Sequence, residues 1–129
     1  MFVNKMLLDT SEGQQPVSQP GWAEIEKALR SLDGKNVTLV SLSGEGEANM
    51  AVGGGENGQY IAYATFDNWT FHNLVDPSRP EDRQVTLVTG GQSGVFSARQ
   101  CVDLSAVLAA AKTFVDAGEL ERSVHWQEG

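Results

Sequence analysis

Apolar residues recur at helical spacing in two segments, one towards each end of the chain. The first runs from about Pro20 to Leu32, and its apolar stripe consists of Trp22, Ile25, Ala28, Leu29 and Leu32. The second begins after Asp103, a typical N-cap residue, and ends at Gly118. Its stripe consists of Leu104, Val107, Leu108, Ala111, Phe114 and Val115. The sequence therefore predicts two amphipathic helices.

Between the two helices the apolar period changes to two, which is typical of β-strands. The predicted strands are Val37 to Leu42, Ala48 to Val52, Gln59 to Phe66, Trp69 to Val75, Gln84 to Val88 and Val95 to Val102. Short segments rich in Gly, Pro, Asn and Asp separate them and predict turns. We therefore expect an α+β fold, with an antiparallel sheet of about five or six strands and an N-terminal and a C-terminal helix packed on one face.

The two ends of the chain carry weaker patterns. Phe2 to Leu8 suits a short strand or a frayed terminus, and the polar segment from Asp9 to Val17 predicts a loop. Ser123 to Gly129 contains Trp126, so we expect this tail to pack against the body of the protein. The 129 residues suit one domain, residues 1–129, with a core of its own.

A G-x-G-x-x-G pattern, the spacing of a dinucleotide-binding loop, is present at Gly53, Gly55 and Gly58. Such a loop needs a helix after it, because the helix N-terminus binds the pyrophosphate. Here the following segment, Gln59 to Phe66, is rich in aromatic residues and predicts a strand. Glu56 also places an anion where a phosphate would bind. A hairpin turn at Asn57-Gly58 explains the pattern better.

The charge distribution is one-sided. The net charge is −8, with a sequence pI near 4.6, so the chain should repel nucleic acid and anionic lipid and attract basic proteins. No Lys or Arg occurs between Lys35 and Arg79. The acids in and just beyond this gap are Glu45, Glu47, Glu56, Asp67, Asp76, Glu81 and Asp82. Either they serve solubility, or they give one region of the surface a negative field.

Aromatic residues cluster around the predicted turn at Asp67-Asn68, and they are Tyr63, Phe66, Trp69 and Phe71. Two interpretations stay open for Trp69. It could pack in the core, or it could lie on the surface beside acids, as in a hot spot that binds a basic protein.

No set of residues predicts catalysis or a cofactor. Hydrolysis needs a nucleophile with a base in reach, and the candidates His72, Cys101 and His125 have no recognisable spacing. No metal-ligand spacing such as H-x-x-x-H is present. The single cysteine allows no internal disulfide, and we found no signal peptide and no membrane-length apolar run. We therefore expect a cytoplasmic protein.

From about Val37 to Glu128 the chain resembles the Imm-one (Imm1) family of immunity proteins from bacterial polymorphic and contact-dependent toxin systems. The order and spacing of several motifs carry the resemblance: Gly53-Gly54-Gly55, Asn73-Leu74-Val75-Asp76, Gly90-Gly91, an Ala-rich second helix with Phe114, and Trp126-Gln127-Glu128. It implies a protein that binds a co-encoded toxin in the producing cell and blocks it. Toxins paired with this family commonly act on nucleic acid and include DNA deaminases and nucleases.

The residues and the resemblance together predict a toxin-binding protein that is not an enzyme. We expect it to meet a basic, nucleic-acid-acting toxin, to bind neither nucleic acid nor membrane, and to need no cofactor. The expected toxin-binding residues are Glu45, Glu47, Glu56, Asp67, Trp69, Asp76, Glu81 and Asp82. Two other functions remain possible at this point: a small hydrolase or transferase using Cys101 or His72, and a generic ligand-binding α+β module.

Overall fold

Nine strands and two α-helices make up the fold in the computed structural model, which describes residues 1–129. Seven strands form one antiparallel sheet, and two form a separate hairpin. In spatial order the sheet contains β2 (Gly13–Ser18), β1 (Lys5–Thr10), β3 (Val37–Ser43), β4 (Asn49–Gly54), β5 (Tyr60–Thr65), β6 (Phe71–Val75) and β9 (His125–Glu128). The α+β class is confirmed, and the sheet is larger than the predicted five or six strands.

The helices lie close to their predicted bounds. Helix α1 spans Trp22–Ser31, and the N–H of Gly21 at its start donates to the Glu24 carboxylate at 3.0 Å. Helix α2 spans Leu104–Ala117, with Asp103 as the predicted N-cap. Gly118 ends α2 at φ 66°, a conformation that glycine adopts without a Cβ clash. Neither helix is terminal, because a β-hairpin precedes α1 and a strand follows α2.

Both helices cover one face of the sheet and form the core with it. Five of the buried helix residues are Ile25, Leu29, Val107, Ala111 and Phe114. On the sheet side the alternation of the strands points Met6, Val40, Leu42, Met50, Val52, Ala62, Ala64 and Leu74 towards them. Both helices therefore lie on one face of the sheet, but they are not the terminal elements that the sequence predicted.

The prediction of a loop from Asp9 to Val17 is wrong, because β1 and β2 pair there as an antiparallel hairpin. Strand β2 lies at the edge of the sheet, and five of its six residues are exposed. An edge strand with so little burial needs no apolar alternation, so the sequence carried no strand signal. Pro16 fits this position, since an edge strand can leave one backbone N–H unused.

The hairpin of β7 (Gln84–Thr89) and β8 (Gln92–Ser97) does not join the sheet as predicted. It packs on the sheet face opposite the helices, which we call the helix-free face, and it buries Leu87 there. A Cβ on Gly53 would come within 2.6 Å of the Thr89 side chain, so glycine allows this close approach. The predicted last strand is also too long, because β8 ends at Ser97 and a 3₁₀ turn follows.

The glycine-rich segment forms a turn, as the sequence predicts. It contains a short 3₁₀ turn, Glu56–Gly58, with Asn57 at φ 55° and Gly58 at φ 70°, and strand β5 follows directly. No helix begins there, so the segment lacks the geometry of a dinucleotide loop. The C-terminal tail packs as expected, since β9 pairs with β6 and the Trp126 indole donates to the Glu121 carbonyl at 3.0 Å. Neither helix has the length and apolarity needed to cross a membrane.

Candidate functional site

The eight predicted toxin-binding residues separate into two groups at opposite ends of the sheet. Because neighbouring strands are antiparallel, the β3–β4 and β5–β6 turns lie at one end, whereas the β4–β5 turn and the segment after β6 lie at the other. The first end, which we call the Trp69 end, carries Glu45, Glu47, Asp67 and Trp69. The second, the Arg79 end, carries Glu56, Asp76, Glu81 and Asp82. A six-residue strand separates the ends by about 17–20 Å.

The β5–β6 turn that carries Trp69 is held by its own side chains. One carboxylate oxygen of Asp67 accepts the backbone N–H groups of Trp69 at 2.9 Å and Thr70 at 2.8 Å. These bonds, with that of Thr70 first, lower the pKa of Asp67. The buried hydroxyl of Thr65 donates to the Thr70 carbonyl at 2.8 Å and accepts the Asn68 N–H at 3.0 Å. The side chains of both Asp67 and Thr65 therefore hold the backbone of the turn in place.

Trp69 itself projects into solvent, with 88% of its surface exposed. The interpretation that it packs in the core is wrong. Its neighbour on the same predicted face, Phe71, instead packs edge-to-face on Tyr63 with ring centroids 5.3 Å apart. A tryptophan has a large apolar area and is usually buried against other residues of its own chain. The exposure of Trp69 is therefore unusual and informative about function.

A side-chain network ties the Trp69 turn to the acidic β3–β4 turn. The Asn68 amide donates to the Glu47 carboxylate, and the Asn49 amide donates to the Asn68 side-chain oxygen at 3.1 Å. Glu45 is exposed on the same β3–β4 turn. Lys5, paired with Ser43 across the sheet, also lies at this end, so the end is acidic but not free of positive charge.

Asn68 and Glu128 also lie at this end, and neither was among the predicted binding residues. Asn68 adopts φ 62°, a left-handed conformation that asparagine tolerates, at the turn that the Asp67-Asn68 pair predicts. Glu128 lies beside Trp69 because β9 pairs with β6, and it lines a shallow depression of about 340 Å³ with Trp69, Thr70 and Phe71. No local pattern predicts that pairing.

Glu56, at the Arg79 end, is part of the fold and does not project as a free surface acid. Its Oε2 accepts the Val88 N–H at 2.9 Å, which joins the β4–β5 turn to β7. Its Oε1 is buried without a protein partner. The carboxylate lies against Gly34, where any Cβ would come within 2.6 Å of it. This residue therefore joins three segments of the chain.

The other acids at the Arg79 end lie among arginines. Asp76 accepts the hydroxyl of Ser78 at 2.6 Å and its backbone N–H at 3.0 Å, and these bonds, with that of the hydroxyl first, lower the pKa of Asp76. Glu81 forms an ion pair with Arg99 at 3.5 Å, and Asp82 is exposed beside it. Arg79 donates to the Cys101 carbonyl at 2.6 Å and to the Gln59 side chain at 2.8 Å.

The geometry does not bring Cys101 and His72 together. Cys101 precedes Val102, which bridges to Tyr60 at the start of β5, whereas His72 pairs with Ala64, four residues further along that strand. The separation is about 13 Å along the strand. Cys101 is also fully buried, and burial raises the pKa of its thiol, which disfavours the reactive thiolate. Cys101 and His72 are therefore too far apart to act as a nucleophile and its base.

An apolar groove on the helix-free face is the feature that would suit the ligand-binding alternative. It has a volume of about 300 Å³, at the lower end of the range for small-molecule sites. Its lining side chains come from β3, β5 and the β7–β8 hairpin and include Leu39, Ile61, Tyr63 and Phe96. Its polar lining groups, which include Asn73, Thr89 and Gln100, are uncharged, so the groove offers a ligand hydrogen-bonding groups but no ionic partner.

A comparison with protein families finds a match to the family described as immunity protein Imm1, over residues 13–128. The chain belongs to the Imm1 family of immunity proteins. The match begins earlier than the resemblance from Val37 and includes β2 and α1. A comparison with curated proteins gave no match. Family membership makes this chain a toxin-neutralising immunity protein whose partner is a cognate toxin.

Proposed function

We propose that this chain neutralises a toxin that acts on nucleic acid, a deaminase or a nuclease, by covering its substrate-binding surface with the Trp69 end of the sheet. The observation that carries the proposal is the 88% exposure of Trp69 at an end whose turns carry Glu45, Glu47 and Asp67. Exposed aromatic anchors surrounded by polar groups are typical of protein-binding hot spots.

The charge of the chain suits such a partner. A protein that handles nucleic acid has a positively charged groove for the phosphates. The net charge of −8 attracts that groove over long range, and carboxylates at the Trp69 end can take the place of phosphates on contact. The Arg79 end is less suitable, because Arg79 and Arg99 lie among its acids and Glu56 serves the fold.

The same proposal places the chain in the cytoplasm of the toxin-producing cell, as part of a polymorphic or contact-dependent toxin system. Inhibition by occlusion needs no chemistry from the immunity protein. We therefore expect His72, Cys101 and His125 to be dispensable for protection. A triple Ala variant that folds and still binds the toxin, but no longer protects cells, would contradict this expectation.

The direct test uses the toxin domain encoded beside this gene, inactivated in its active site. We expect it to co-purify with the chain and to lose labelled DNA or RNA oligonucleotides when the chain is added. Trp69→Ala should weaken both effects, whereas Val95→Ala, at another exposed apolar residue, should not. Failure to bind the toxin domain would overturn the proposed function. A stable complex that binds the oligonucleotide with unchanged affinity would overturn occlusion.

A further inference from the structure

Trp69 combines high exposure of its side chain with a backbone that is fixed by hydrogen bonds. Its side chain is 88% exposed, yet the turn from Thr65 to Thr70 is closed by four hydrogen bonds from the side chains of Asp67 and Thr65. A second layer, Asn49 to Asn68 to Glu47, fixes the turn to its neighbour. Rigid aromatic side chains bind with a small loss of conformational entropy.

Asp67 could act by positioning the turn through its hydrogen bonds or by supplying a negative charge. Its hydrogen bonds allow these two roles to be tested separately. All its side-chain hydrogen bonds use the same oxygen, Oδ1, which accepts from the N–H groups of Trp69 and Thr70 and, at 3.4 Å, from the Thr65 hydroxyl. Its other oxygen has no protein partner. An asparagine can therefore keep Oδ1 in place and put its amide where Oδ2 was, so that the turn survives and only the charge is lost.

We propose that Trp69 is a preformed anchor, positioned by Asp67, that inserts into an apolar pocket with a cationic rim on the toxin domain. This proposal rests on the proposed function and specifies the shape and chemistry of the partner surface. An indole that stands free of its own protein is convex and needs a concave apolar partner to lose its contact with water.

Carboxylates on both sides of the anchor indicate the cationic rim. Glu47 is held on one side by Asn68, and Glu128 lines the depression next to the Trp69 ring on the other. Lys or Arg side chains at the mouth of the pocket would meet these carboxylates as the indole enters. An arginine in that depression could also stack on the indole face.

The first experiment measures association and dissociation rates of the inactivated toxin domain with matched variants. Trp69→Ala should raise the dissociation rate about 30-fold, as expected for a hot spot, with little change in thermal stability. Asp67→Asn should lower the association rate about twofold to fivefold at low salt and leave dissociation within about twofold. Asp67→Ala should also raise the dissociation rate, by about fivefold to tenfold, because it releases the turn. Equal dissociation rates for the Asn and Ala variants would overturn the positioning role.

The second experiment tests the pocket by fluorine NMR of chain labelled with fluorotryptophan. The three tryptophans give three resonances, and Trp69→Phe assigns one of them. In the free chain the Trp69 resonance should show the solvent isotope shift of an exposed ring. On addition of unlabelled toxin domain it should lose that shift. If the toxin domain binds and loses its oligonucleotide while Trp69 stays accessible, the pocket and the Trp69 end as binding surface are wrong, but neutralisation by occlusion stands. If the toxin domain does not bind at all, both fall.

Discussion

At the residue scale, two aspartates show how one type of side chain can shape a turn. Asp33 accepts the backbone N–H groups of Lys35, Asn36 and Val37 at 2.7–3.0 Å and so closes the connection from α1 to β3. Asp67 does the same for the turn that carries Trp69. In sequence both appear as surface acids, and only the local geometry shows that each carboxylate organises backbone.

We expect the contribution of Asp33 to stability to depend on pH. Hydrogen bonds from the chain, that of Val37 first, lower the pKa of Asp33 from 3.8 to about 2. Because the folded state has the lower pKa, this contribution is complete above about pH 4 and is lost as the pH falls towards 2. Asp33→Ala should cost on the order of 1 kcal/mol at pH 7 in urea unfolding, and Asp33→Asn less, since its amide oxygen still accepts hydrogen bonds.

The difference in the free energy of unfolding between wild type and Asp33→Ala should therefore become smaller as the pH is lowered from about 4 towards 2. A destabilisation that is the same at pH 7 and near pH 2 would show that the charge of Asp33 has no part in the turn.

Glu56 gives the second prediction at this scale. Its carboxylate accepts the Val88 N–H and lies against Gly34, so Glu56→Lys should reduce stability by about 1–3 kcal/mol through the lost hydrogen bond and the steric conflict. We expect toxin binding by the folded fraction to be unchanged. Both quantities are measured on one preparation, by thermal unfolding and by titration with toxin domain. If the Glu56→Lys chain is fully stable but binds the toxin domain poorly, Glu56 is part of the binding surface.

At the scale of elements, α2 joins the core to the Trp69 end. Phe114 is 1% exposed, and its ring lies 5.4 Å from Phe2 and 6.0 Å from Phe66. Phe66 directly precedes Asp67, so the packing of this helix also supports the start of the Trp69 turn.

Phe114→Ala should therefore be one of the costly substitutions in this chain. Removing a buried phenylalanine costs about 3–5 kcal/mol, which is comparable to the whole stability of a small domain. Urea unfolding measures the loss, and Phe114→Leu provides the control because it leaves a smaller cavity. A loss of less than about 1 kcal/mol for the Ala variant would mean that the helix stripe is not core.

The sequence predicts an element well when burial and capping are local. Helices α1 and α2 have both an apolar stripe and end signals, and strands β3 to β6 all contribute buried residues to the core. Their predicted bounds therefore lie within about two residues of the structure. Strand β2 was missed because it is an exposed edge. The separate β7–β8 hairpin was missed because its packing depends on Gly53, which is distant in sequence.

The candidate site could be predicted only in part, for a topological reason. Residue type and charge placed all eight predicted binding residues on one surface, whereas the structure brings only Glu45, Glu47, Asp67 and Trp69 together at one end of the sheet. The same reasoning added Glu56 and Asp76, because acids that are neighbours in sequence look like one surface. In an antiparallel meander successive turns alternate between ends. The sign of the charge along the chain therefore says nothing about which end a turn reaches.

At the scale of the whole molecule, the two ends allow a test of where the negative field acts. Glu45→Lys with Glu47→Lys changes the Trp69 end, and Glu81→Lys with Asp82→Lys changes the Arg79 end. Each pair of substitutions alters the net charge by the same amount, so any difference between them reports position and not total charge. All four side chains are exposed, and each variant also loses one contact, the hydrogen bond from Asn68 to Glu47 or the ion pair of Glu81 with Arg99, so thermal unfolding is measured beside the rates.

We expect the association rate with the toxin domain at low salt to fall about tenfold for the pair at the Trp69 end and less than about twofold for the pair at the Arg79 end. The difference should shrink as added salt shortens the screening length. Stopped-flow mixing over a series of salt concentrations measures both effects. Equal losses for the two pairs would mean that the toxin senses only net charge. A larger loss at the Arg79 end would move the binding surface to Asp76, Glu81 and Asp82, and Trp69 would need another explanation for its exposure.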